Sequence, residues 1–265
     1  MEWIEIGGVG FRYELSGSGE DTLVLVHEMG GTLESWDLVL PLLRGRQRAV
    51  LRFDMRGAGQ STKLRGTAPF DAMADDIAAL LDATGRGGRP ATVVGCAVGG
   101  AVALHFAARH PGRAGALAVL GPATGIPEER RPAVLAQADR AERDGMAAVA
   151  DGALARSYPP ELRGDGARFR RFRARWLAND PGSYAATTRM LAGLEMRAEI
   201  AALRLPALFL AGTLDPLRPP AAVEPIARSL PGARFEAIES GHFSATQTPE
   251  VVADRLNGFL AETGG

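Results

Sequence analysis

The stretch Ala91-Thr92-Val93-Val94-Gly95-Cys96-Ala97-Val98-Gly99-Gly100 decides the fold of this chain. Its first four residues are rich in β-branched side chains and predict a strand, and the apolar run of residues 101–108 that follows predicts a helix. Glycines two positions before and two positions after a central residue, at a switch from strand to helix, are typical of a nucleophile elbow. This turn is so tight that its flanking positions must lack bulk, and Gly95 and Gly99 meet that requirement. The central residue is Ala97, so the turn has no nucleophilic side chain at its centre.

Cys96 is adjacent to the centre of the turn, but the positions of the glycines exclude it as the nucleophile. If Cys96 were the central residue, the flanking positions would be Val94 and Val98, whose side chains are bulky and β-branched. We therefore interpret Cys96 as a small buried residue beside the site. It is the single cysteine of the chain, so an intrachain disulfide is excluded.

Length and composition indicate one large α/β domain with an insertion. The chain has 265 residues, and its 30 basic residues nearly balance its 31 acidic residues, for a net charge of −1. This balance gives no electrostatic reason to expect binding to nucleic acid or to an anionic membrane. The N-terminal residues are acidic and alternating, unlike a signal peptide, and no apolar run approaches the ~20 residues of a membrane span. We expect a cytoplasmic protein, with a homodimer left open.

Strand and helix patterns alternate along the first half of the sequence, which is typical of an α/β fold. Between residues 126 and 203 the pattern is helical only, and strand patterns return after it. We therefore predict a mostly parallel eight-stranded sheet flanked by helices, with a helical cap inserted after the sixth strand. Residues 1–124 and 204–265 would form the core, and residues 125–203 the cap. A helix is also predicted over residues 33–43. The predicted strands cover residues 3–6, 11–15, 22–27, 49–54, 91–94, 116–120, 205–211 and 234–238.

Two titratable residues lie at predicted strand ends, where open α/β sheets bind their ligands. His242 follows the last strand and is the candidate general base, whereas His105 and His110 lie in or just after the elbow helix, away from its N-terminus. Asp215 follows the seventh strand and is the candidate acid that orients the histidine. The chain order is therefore position 97, Asp215 and His242, which is the order nucleophile, acid, histidine.

Five motifs occur in an order, and at strand ends, that match a known family. They are His27-Glu28-Met29-Gly30-Gly31, Asp54-Met55-Arg56-Gly57-Ala58-Gly59-Gln60-Ser61, the elbow, Gly212-Thr213-Leu214-Asp215 and Gly241-His242. With these motifs the chain resembles the α/β-hydrolase fold superfamily over essentially its whole length. Its capped layout is most similar to the β-ketoadipate enol-lactonase and C–C hydrolase branch. The resemblance implies a hydrolase that acts on a small-molecule substrate and uses no cofactor and no metal ion.

The resemblance also implies an oxyanion hole formed by the backbone N–H groups of Met29 and Val98. Neither donor depends on the side chain at position 97, so we expect the hole to be present in this chain. The positive end of the elbow helix should face the same site. His27 is assigned to the scaffold of the loop that carries Met29.

Ala97 departs from the family pattern, which has serine at this position. Alanine has no lone pair with which to attack a carbonyl, so this chain cannot form an acyl-enzyme there. One account is an inactivating replacement of serine by alanine in a parent enzyme. The other account is a natural loss of catalysis.

In the parent, a serine at position 97 would attack a carbonyl, His242 would take its proton, and Asp215 would hold the histidine tautomer. The expected substrate is a small lactone or enol-lactone, which could be carboxylated, and an ester or amide is not excluded. Three alternatives stay open: a C–C bond hydrolase acting on β-diketones, a non-catalytic ligand receptor on the same fold, and chemistry in which His242 activates water directly.

Four side chains are candidate substrate contacts. Glu28 stands beside the oxyanion loop, where the family usually has glycine. Arg168 and Arg175 belong to an arginine-rich stretch of the cap, and arginine binds carboxylates through two parallel hydrogen bonds. Trp176 lies at helical spacing from two phenylalanines of the same stretch, so packing within the cap is the competing interpretation.

Overall fold

The computed structural model describes residues 1–45 and 47–263, which contain eight β-strands in one sheet and ten α-helices. The strands are β1 (Glu2–Ile6), β2 (Val9–Ser16), β3 (Thr22–Val26), β4 (Ala49–Phe53), β5 (Ala91–Cys96), β6 (Ala114–Leu120), β7 (Ala207–Gly212) and β8 (Arg234–Ile238). The helices are α1 (Phe70–Ala83), α2 (Val98–Arg109), α3 (Arg131–Asp144), α4 (Ala147–Ser157), α5 (Gly166–Leu177), α6 (Pro181–Gly193), α7 (Arg197–Ala202), α8 (Pro220–Ser229), α9 (Ser244–Gln247) and α10 (Pro249–Glu262). No helix in the described ranges is both long enough and apolar enough to cross a lipid bilayer.

The strands are ordered β1-β2-β4-β3-β5-β6-β7-β8 across the sheet. β2 pairs in antiparallel fashion with β1 and with β4, and the neighbouring pairs from β4 to β8 are parallel. The chain passes from β3 to β4 on one side and then places β5 on the other side of β3. The loops that follow β3 and β5 therefore diverge and leave a crevice at the carboxyl ends of these strands, where open α/β sheets bind ligands. The predicted mostly parallel eight-stranded sheet is confirmed.

Both faces of the sheet are covered, which explains why its central strands are apolar at nearly every position. In β3, Val24 and Val26 pack into a buried cluster with residues of α1 and α2, whereas Leu23 and Leu25 pack into a second cluster with residues of α10. All four side chains are fully buried. The carboxyl end of β3 is thus held between two packed layers, and this fixes the start of the loop that follows it.

A helical segment, α3 to α7, connects β6 to β7. Its apolar side chains form a third cluster, in which Phe172 and Trp176 of α5 pack with Tyr184 of α6 and with Phe243 from the loop after β8. The rings of Phe172 and Phe243 are 4.9 Å apart between centroids. The segment therefore packs on the core beside the carboxyl end of the sheet. This helical segment follows the sixth strand, and the division of the chain at residues 124 and 204 stays a prediction.

The helix predicted over residues 33–43 is wrong. Two short 3₁₀ helices, Leu33–Trp36 and Leu40–Leu42, occupy this stretch. Pro41 explains the difference, because it has no N–H to donate and its ring collides with the carbonyl four residues earlier in an α-helix. Trp36 is nevertheless fully buried against the sheet, so the apolar pattern identified the buried face although not the type of helix.

His105 of α2 joins three helices of the core. Its Nδ1 lies 3.1 Å from Oε2 of Glu199 in α7, and its Nε2 lies 3.0 Å from Oδ1 of Asp71 in α1. The hydrogen bond to Glu199 raises the pKa of His105, burial lowers it, and the bond to Asp71 raises it again, so the net shift of the pKa is upward. Because the folded-state pKa is raised, the protonated ring stabilises the fold.

We expect His105→Gln to lower the free energy of unfolding most at pH values below the unfolded-state pKa of about 6.5, where the ring is protonated in both states. The difference from the unmodified chain should shrink as pH rises through the higher folded-state pKa. Urea unfolding at about pH 5.5, 7 and 8.5 measures it. Glu199→Gln, which removes the partner, should show the same trend, and a difference that does not change with pH would contradict this role.

Candidate active site

The turn between β5 and α2 holds Ala97 in a strained backbone conformation. Its φ is +50° and its ψ is −112°, and within the described residues it is the only non-glycine residue with a positive φ. Such a conformation costs on the order of 1–3 kcal/mol and persists only where the surroundings enforce it. The N–H of Ala97 donates to the carbonyl of Leu120 at 2.8 Å, and its carbonyl accepts from the N–H of Ala123 at 3.0 Å. These bonds fix the direction in which the side chain of residue 97 points.

Gly95 and Gly99 are required by close backbone contacts. A Cβ atom on Gly95 would lie 2.2 Å from the carbonyl oxygen of Gly99, and one on Gly99 would lie 2.4 Å from the carbonyl oxygens of Val26 and His27. Backbone atoms in a packed core do not move aside as the end of a flexible side chain does. The prediction that both flanking positions must be glycine is confirmed, and α2 begins directly against the end of β3.

His242 and Asp215 come from neighbouring strand ends and contact each other. Asp215 lies in the loop after β7, and His242 lies in the loop after β8. Nδ1 of His242 is 2.8 Å from Oδ2 of Asp215. Because an ionised carboxylate can only accept a hydrogen bond, Nδ1 carries the proton and Nε2 of the neutral ring is unprotonated. Within the described part of the chain, Nε2 has no hydrogen-bond partner, so it is available to a ligand.

Asp215 stays ionised although it is only 2% exposed. Burial raises its pKa, but the charge and hydrogen bond of His242 and the backbone N–H of Leu217 lower it, so that the net pKa lies below the ordinary value. The N–H of Leu217 donates to Oδ1 at 2.8 Å, which leaves Oδ2 for His242. Both carboxylate oxygens are engaged, and the arrangement holds the histidine ring in one tautomer and one orientation.

Two backbone N–H groups next to Ala97 have no acceptor. Among residues 1–45 and 47–263, neither the N–H of Met29, in the loop after β3, nor that of Val98, the first residue of α2, finds a hydrogen-bond partner. Val98 also lies at the positive end of the helix dipole. Free N–H groups at such a turn can bind a carbonyl oxygen as it gains negative charge, which is the chemistry of an oxyanion hole.

His27 fixes the loop that carries Met29. Its Nδ1 donates to the carbonyl of Glu28 at 2.7 Å, and its Nε2 accepts from the N–H of Met55 at 3.0 Å. The ring is 1% exposed and links the loop after β3 to the loop after β4. Both ring nitrogens are therefore occupied, and this geometry fits a scaffold rather than a catalytic base.

A cavity of about 430 Å³ lies next to Ala97. This volume falls in the range of about 300–1,000 Å³ that is typical of small-ligand sites. Met29, Val98 and His242 border it from the core, and Trp176 borders it from α5. The structure thus brings together the centre of the elbow, the candidate base, both candidate oxyanion donors and one of the four predicted substrate contacts. No group of His, Cys, Asp or Glu side chains in the described ranges is arranged to hold a metal ion.

Glu28, Arg168 and Arg175 do not border this cavity, and their contact with substrate stays a prediction. Glu28 is 1% exposed, and its carboxylate accepts a hydrogen bond from Ser35 at 2.8 Å. Arg168 donates to the carbonyl of Gln247 at 3.1 Å and so ties α5 to α9. Arg175 directly precedes Trp176, which lines the cavity from α5. Adjacent side chains on a helix point about 100° apart, so the side chain of Arg175 points in a different direction from that of Trp176.

Cys96 does not border the cavity either. It is fully buried, and its Sγ lies 3.6 Å from the carbonyl oxygen of His242. Burial raises the pKa of the thiol well above its ordinary value, and the charges of Glu28 and Asp215 raise it further. A buried, protonated thiol is a poor nucleophile, which agrees with the interpretation of Cys96 as a packing residue.

Three arginines that no sequence motif identified border the cavity, and they are Arg130, Arg156 and Arg218. Arg218 follows Asp215 by three positions in the loop after β7, so attention to strand ends could have identified it. Arg130 directly precedes α3, Arg156 lies in α4, and neither belongs to a motif. Tyr184 also borders the cavity, and burial raises its pKa to about 12, so its hydroxyl keeps its proton.

Comparison with known proteins points to one family. The profile of the alpha/beta hydrolase fold family matches residues 21–247. The chain is 27% identical over 271 residues to a protein of Azorhizobium caulinodans that is named as the carbamate hydrolase RutD. The match covers 99% of each chain. The 3-oxoadipate enol-lactonase 1 of Acinetobacter baylyi is 25% identical over 239 residues, covering 90% of this chain and 88% of the relative. A malate-bound structure of a thermophilic esterase from Thermogutta terrifontis has a TM-score of 0.91 at 26% identity, with 100% of both chains covered.

Gly99→Ala should destabilise the fold by about 3 kcal/mol, because its methyl group would meet two backbone carbonyls. Gly258→Ala in α10 is the matched control, since a Cβ atom there meets nothing within 4 Å. Replacing a helical glycine of that kind stabilises a protein by up to about 1 kcal/mol. Urea unfolding followed by circular dichroism measures both variants, and equal stabilities would contradict the close approach of α2 to β3.

Proposed function

The chain belongs to the alpha/beta hydrolase fold family, and from this premise we propose that its cavity binds a small ester or lactone in the geometry of hydrolysis. One observation carries the proposal: His242, oriented by Asp215, borders the same cavity as the free N–H groups of Met29 and Val98. The donors would act on the carbonyl oxygen, and the base would act on the group that attacks the carbonyl carbon. A site that only binds a ligand has no need of an oriented base.

With serine at position 97, the reaction would follow the acyl-enzyme route. The serine Oγ would attack the carbonyl carbon while Nε2 of His242 takes its proton, and Met29 and Val98 would stabilise the oxyanion. His242 would then give the proton to the leaving oxygen. A water molecule activated by the same nitrogen would hydrolyse the acyl-enzyme, and Asp215 would stabilise the charged ring in both steps.

As the chain stands, the methyl group of Ala97 closes this covalent route, because it has no oxygen with which to attack. Binding and polarisation of the substrate carbonyl remain, since both use backbone N–H groups. The side chain at position 97 therefore determines whether the substrate is turned over, but not whether it binds. In this proposal the chain holds its ester or lactone unreacted, and a serine at position 97 restores turnover.

The intact contact between His242 and Asp215 favours a second route without a covalent intermediate. A methyl group occupies less space than the hydroxymethyl group of serine, so a water molecule can take the place of the missing hydroxyl if it finds polar partners there. Nε2 of His242 would remove a proton from this water as it attacks the carbonyl carbon. The same oxyanion donors would serve this direct hydrolysis.

A lactone or enol-lactone is the substrate class that we favour, followed by an ester. The support is similarity to the enol-lactonase of Acinetobacter baylyi and to the esterase of Thermogutta terrifontis. The cavity volume of about 430 Å³ suits a small molecule. In this proposal the core, residues 1–124 and 204–265, supplies the reacting groups, and the cap, residues 125–203, encloses the rest of the substrate.

Ala97→Ser should raise kcat/KM by at least about 10³-fold for the best member of a panel of lactones and p-nitrophenyl esters, because it restores the missing nucleophile. Mass spectrometry after rapid quenching should detect an acyl group on residue 97 of this variant. Ala97→Gly is the matched control, because it changes the same strained position without adding an oxygen atom.

A folded Ala97→Ser variant that turns over no member of the panel would contradict the proposal. Equal turnover by the unmodified chain and by Ala97→Ser, lost from both on His242→Ala, would instead establish direct attack by water. Release of two carbon fragments from a β-diketone would establish C–C bond hydrolysis.

Asp215→Asn in the Ala97→Ser background should lower kcat by about 10⁴-fold, because an amide in place of the carboxylate favours the wrong histidine tautomer. KM should change little, since the side chain of residue 215 does not contact the substrate in this mechanism. Steady-state kinetics measures both constants. A fall in kcat of less than about 10-fold would argue against the assigned role of Asp215.

A further inference from the structure

Three arginines border the cavity without pairing with a carboxylate. Arg130, Arg156 and Arg218 belong to its wall, and in the described part of the chain no Asp or Glu oxygen forms an ion pair with them. By contrast, Arg189 of the same helical segment pairs with two carboxylates. Unpaired guanidinium groups that line a cavity are candidates for binding an anionic ligand.

The Cβ atom of Arg218 lies close to the Asp215–His242 pair. A single point, the position of a Cβ atom on Gly121, lies 3.4 Å from Oδ2 of Asp215, 3.6 Å from Cβ of Arg218 and 3.9 Å from Nδ1 of His242. Arg218 therefore borders the cavity close to the groups that would perform the reaction. A ligand held by its guanidinium would lie within the same cavity as the candidate oxyanion donors.

The hydrogen bonds of Arg218 leave part of its guanidinium unused. Nη1 donates to the carbonyl of Leu217 at 3.0 Å, and Nη2 donates to the carbonyl of Gly125 at 2.9 Å. Nε is buried and has no hydrogen-bond partner within residues 1–45 and 47–263. A guanidinium group has five N–H donors, so several remain for a ligand, and its two carbonyl partners do not neutralise its charge.

The charges around Arg218 also favour an anion. Burial lowers the pKa of Arg218, the charge of Asp215 raises it, and the charge of Arg130 lowers it. The carboxylate of Asp215 accepts hydrogen bonds from His242 and Leu217 and forms no ion pair with Arg218, and the charge of Arg130, which also acts on Arg218, is positive. Glu129 borders the cavity too, but it is exposed and forms no ion pair with either arginine among the described contacts.

A hydrogen-bonded chain extends this donor-rich wall. Nη2 of Arg156 donates to Oε1 of Gln137 at 2.9 Å, and Nε2 of Gln137 donates to the hydroxyl of Tyr184 at 2.9 Å. All three residues border the cavity. Because the tyrosine oxygen accepts this bond, its own proton is free for an acceptor in the cavity, so the wall offers donors to a ligand.

We propose that Arg218, together with Arg130 and Arg156, binds a carboxylate of the substrate. Arginine matches the planar carboxylate with two parallel hydrogen bonds, and partial burial strengthens them. The substrate class is therefore an ester or lactone that carries an acidic group away from its reacting carbonyl. This inference rests on the proposed function, because Met29 and Val98 place the carbonyl end.

Titration calorimetry with methyl hydrogen adipate and methyl hexanoate tests this proposal on the unmodified chain. The two esters have the same length and differ by a carboxylate in place of a methyl group. We expect the half-ester to bind at least about 10-fold more tightly, and Arg218→Met to remove that difference while methyl hexanoate binding changes by less than about 2-fold. Arg130→Met should give a smaller loss, because Arg130 is exposed.

Arg140→Met is the matched control, since Arg140 is an exposed arginine of α3 that does not border the cavity. It should leave both affinities unchanged. Equal affinity of the unmodified chain for the two esters would overturn the proposal. Weakening of both esters to the same degree by Arg218→Met would also overturn it, because that result indicates a structural role. Tighter binding of the phosphonate counterpart would overturn the assignment to a carboxylate.

Turnover of two nitrophenyl esters by Ala97→Ser distinguishes failure of the carboxylate site from failure of the proposed function. If Ala97→Ser hydrolyses p-nitrophenyl hexanoate but shows no preference for mono-p-nitrophenyl adipate, the proposed function stands and the carboxylate site fails. If the half-ester binds through Arg218 but Ala97→Ser hydrolyses neither nitrophenyl ester, the carboxylate site stands and the proposed function fails.

Discussion

The contact between Gly99 and the backbone carbonyls at the end of β3 sets the geometry on which the rest of the site depends. Because α2 begins so close to the sheet, its first turn and the loop after β3 face one crevice. Ala97, in the same turn, has a positive φ, and its hydrogen bonds hold it there: its N–H donates to the carbonyl of Leu120, and its carbonyl accepts from the N–H of Ala123. Backbone atoms make all of these contacts, so they do not depend on an oxygen atom in the side chain of residue 97.

The cavity wall contains groups from the core and groups from the helical segment between β6 and β7. The groups that would act on a carbonyl come from strand ends of the core, and most of the groups that would recognise the rest of a ligand come from the helical segment between β6 and β7. Arg218 is the exception, because it lies in the same short loop as Asp215. In the proposed function, that loop would both orient His242 and hold the anionic group of the ligand, so one short segment would set the spacing between the reacting and recognition ends of the ligand.

The sheet, the elbow and the acid–histidine pair could be predicted because each depends on local pattern and chain order. Side-chain direction could not be predicted where distant packing decides it. On α5, the sequence does not reveal that Trp176 turns to the cavity while Arg175 turns away, since both faces of that helix carry large side chains. The position of Glu28 beside the loop of Met29 is evident from the sequence, but its hydrogen bond from Ser35, which holds the carboxylate, is not. The end of the helical pattern at Pro41 is, by contrast, predictable from the sequence, because proline disfavours an α-helix interior on covalent grounds alone.

Cys96 is the single thiol of the chain, and it lies at the base of the strained turn. Its sulfur contacts the carbonyl of His242, so the loop that carries the histidine covers it. An alkylating reagent can reach this sulfur only when the loop and the turn separate, and its rate of modification follows the frequency of that opening. The rate at which Cys96 is alkylated therefore reports how often the site opens locally, with a thiol that the chain already carries as the probe.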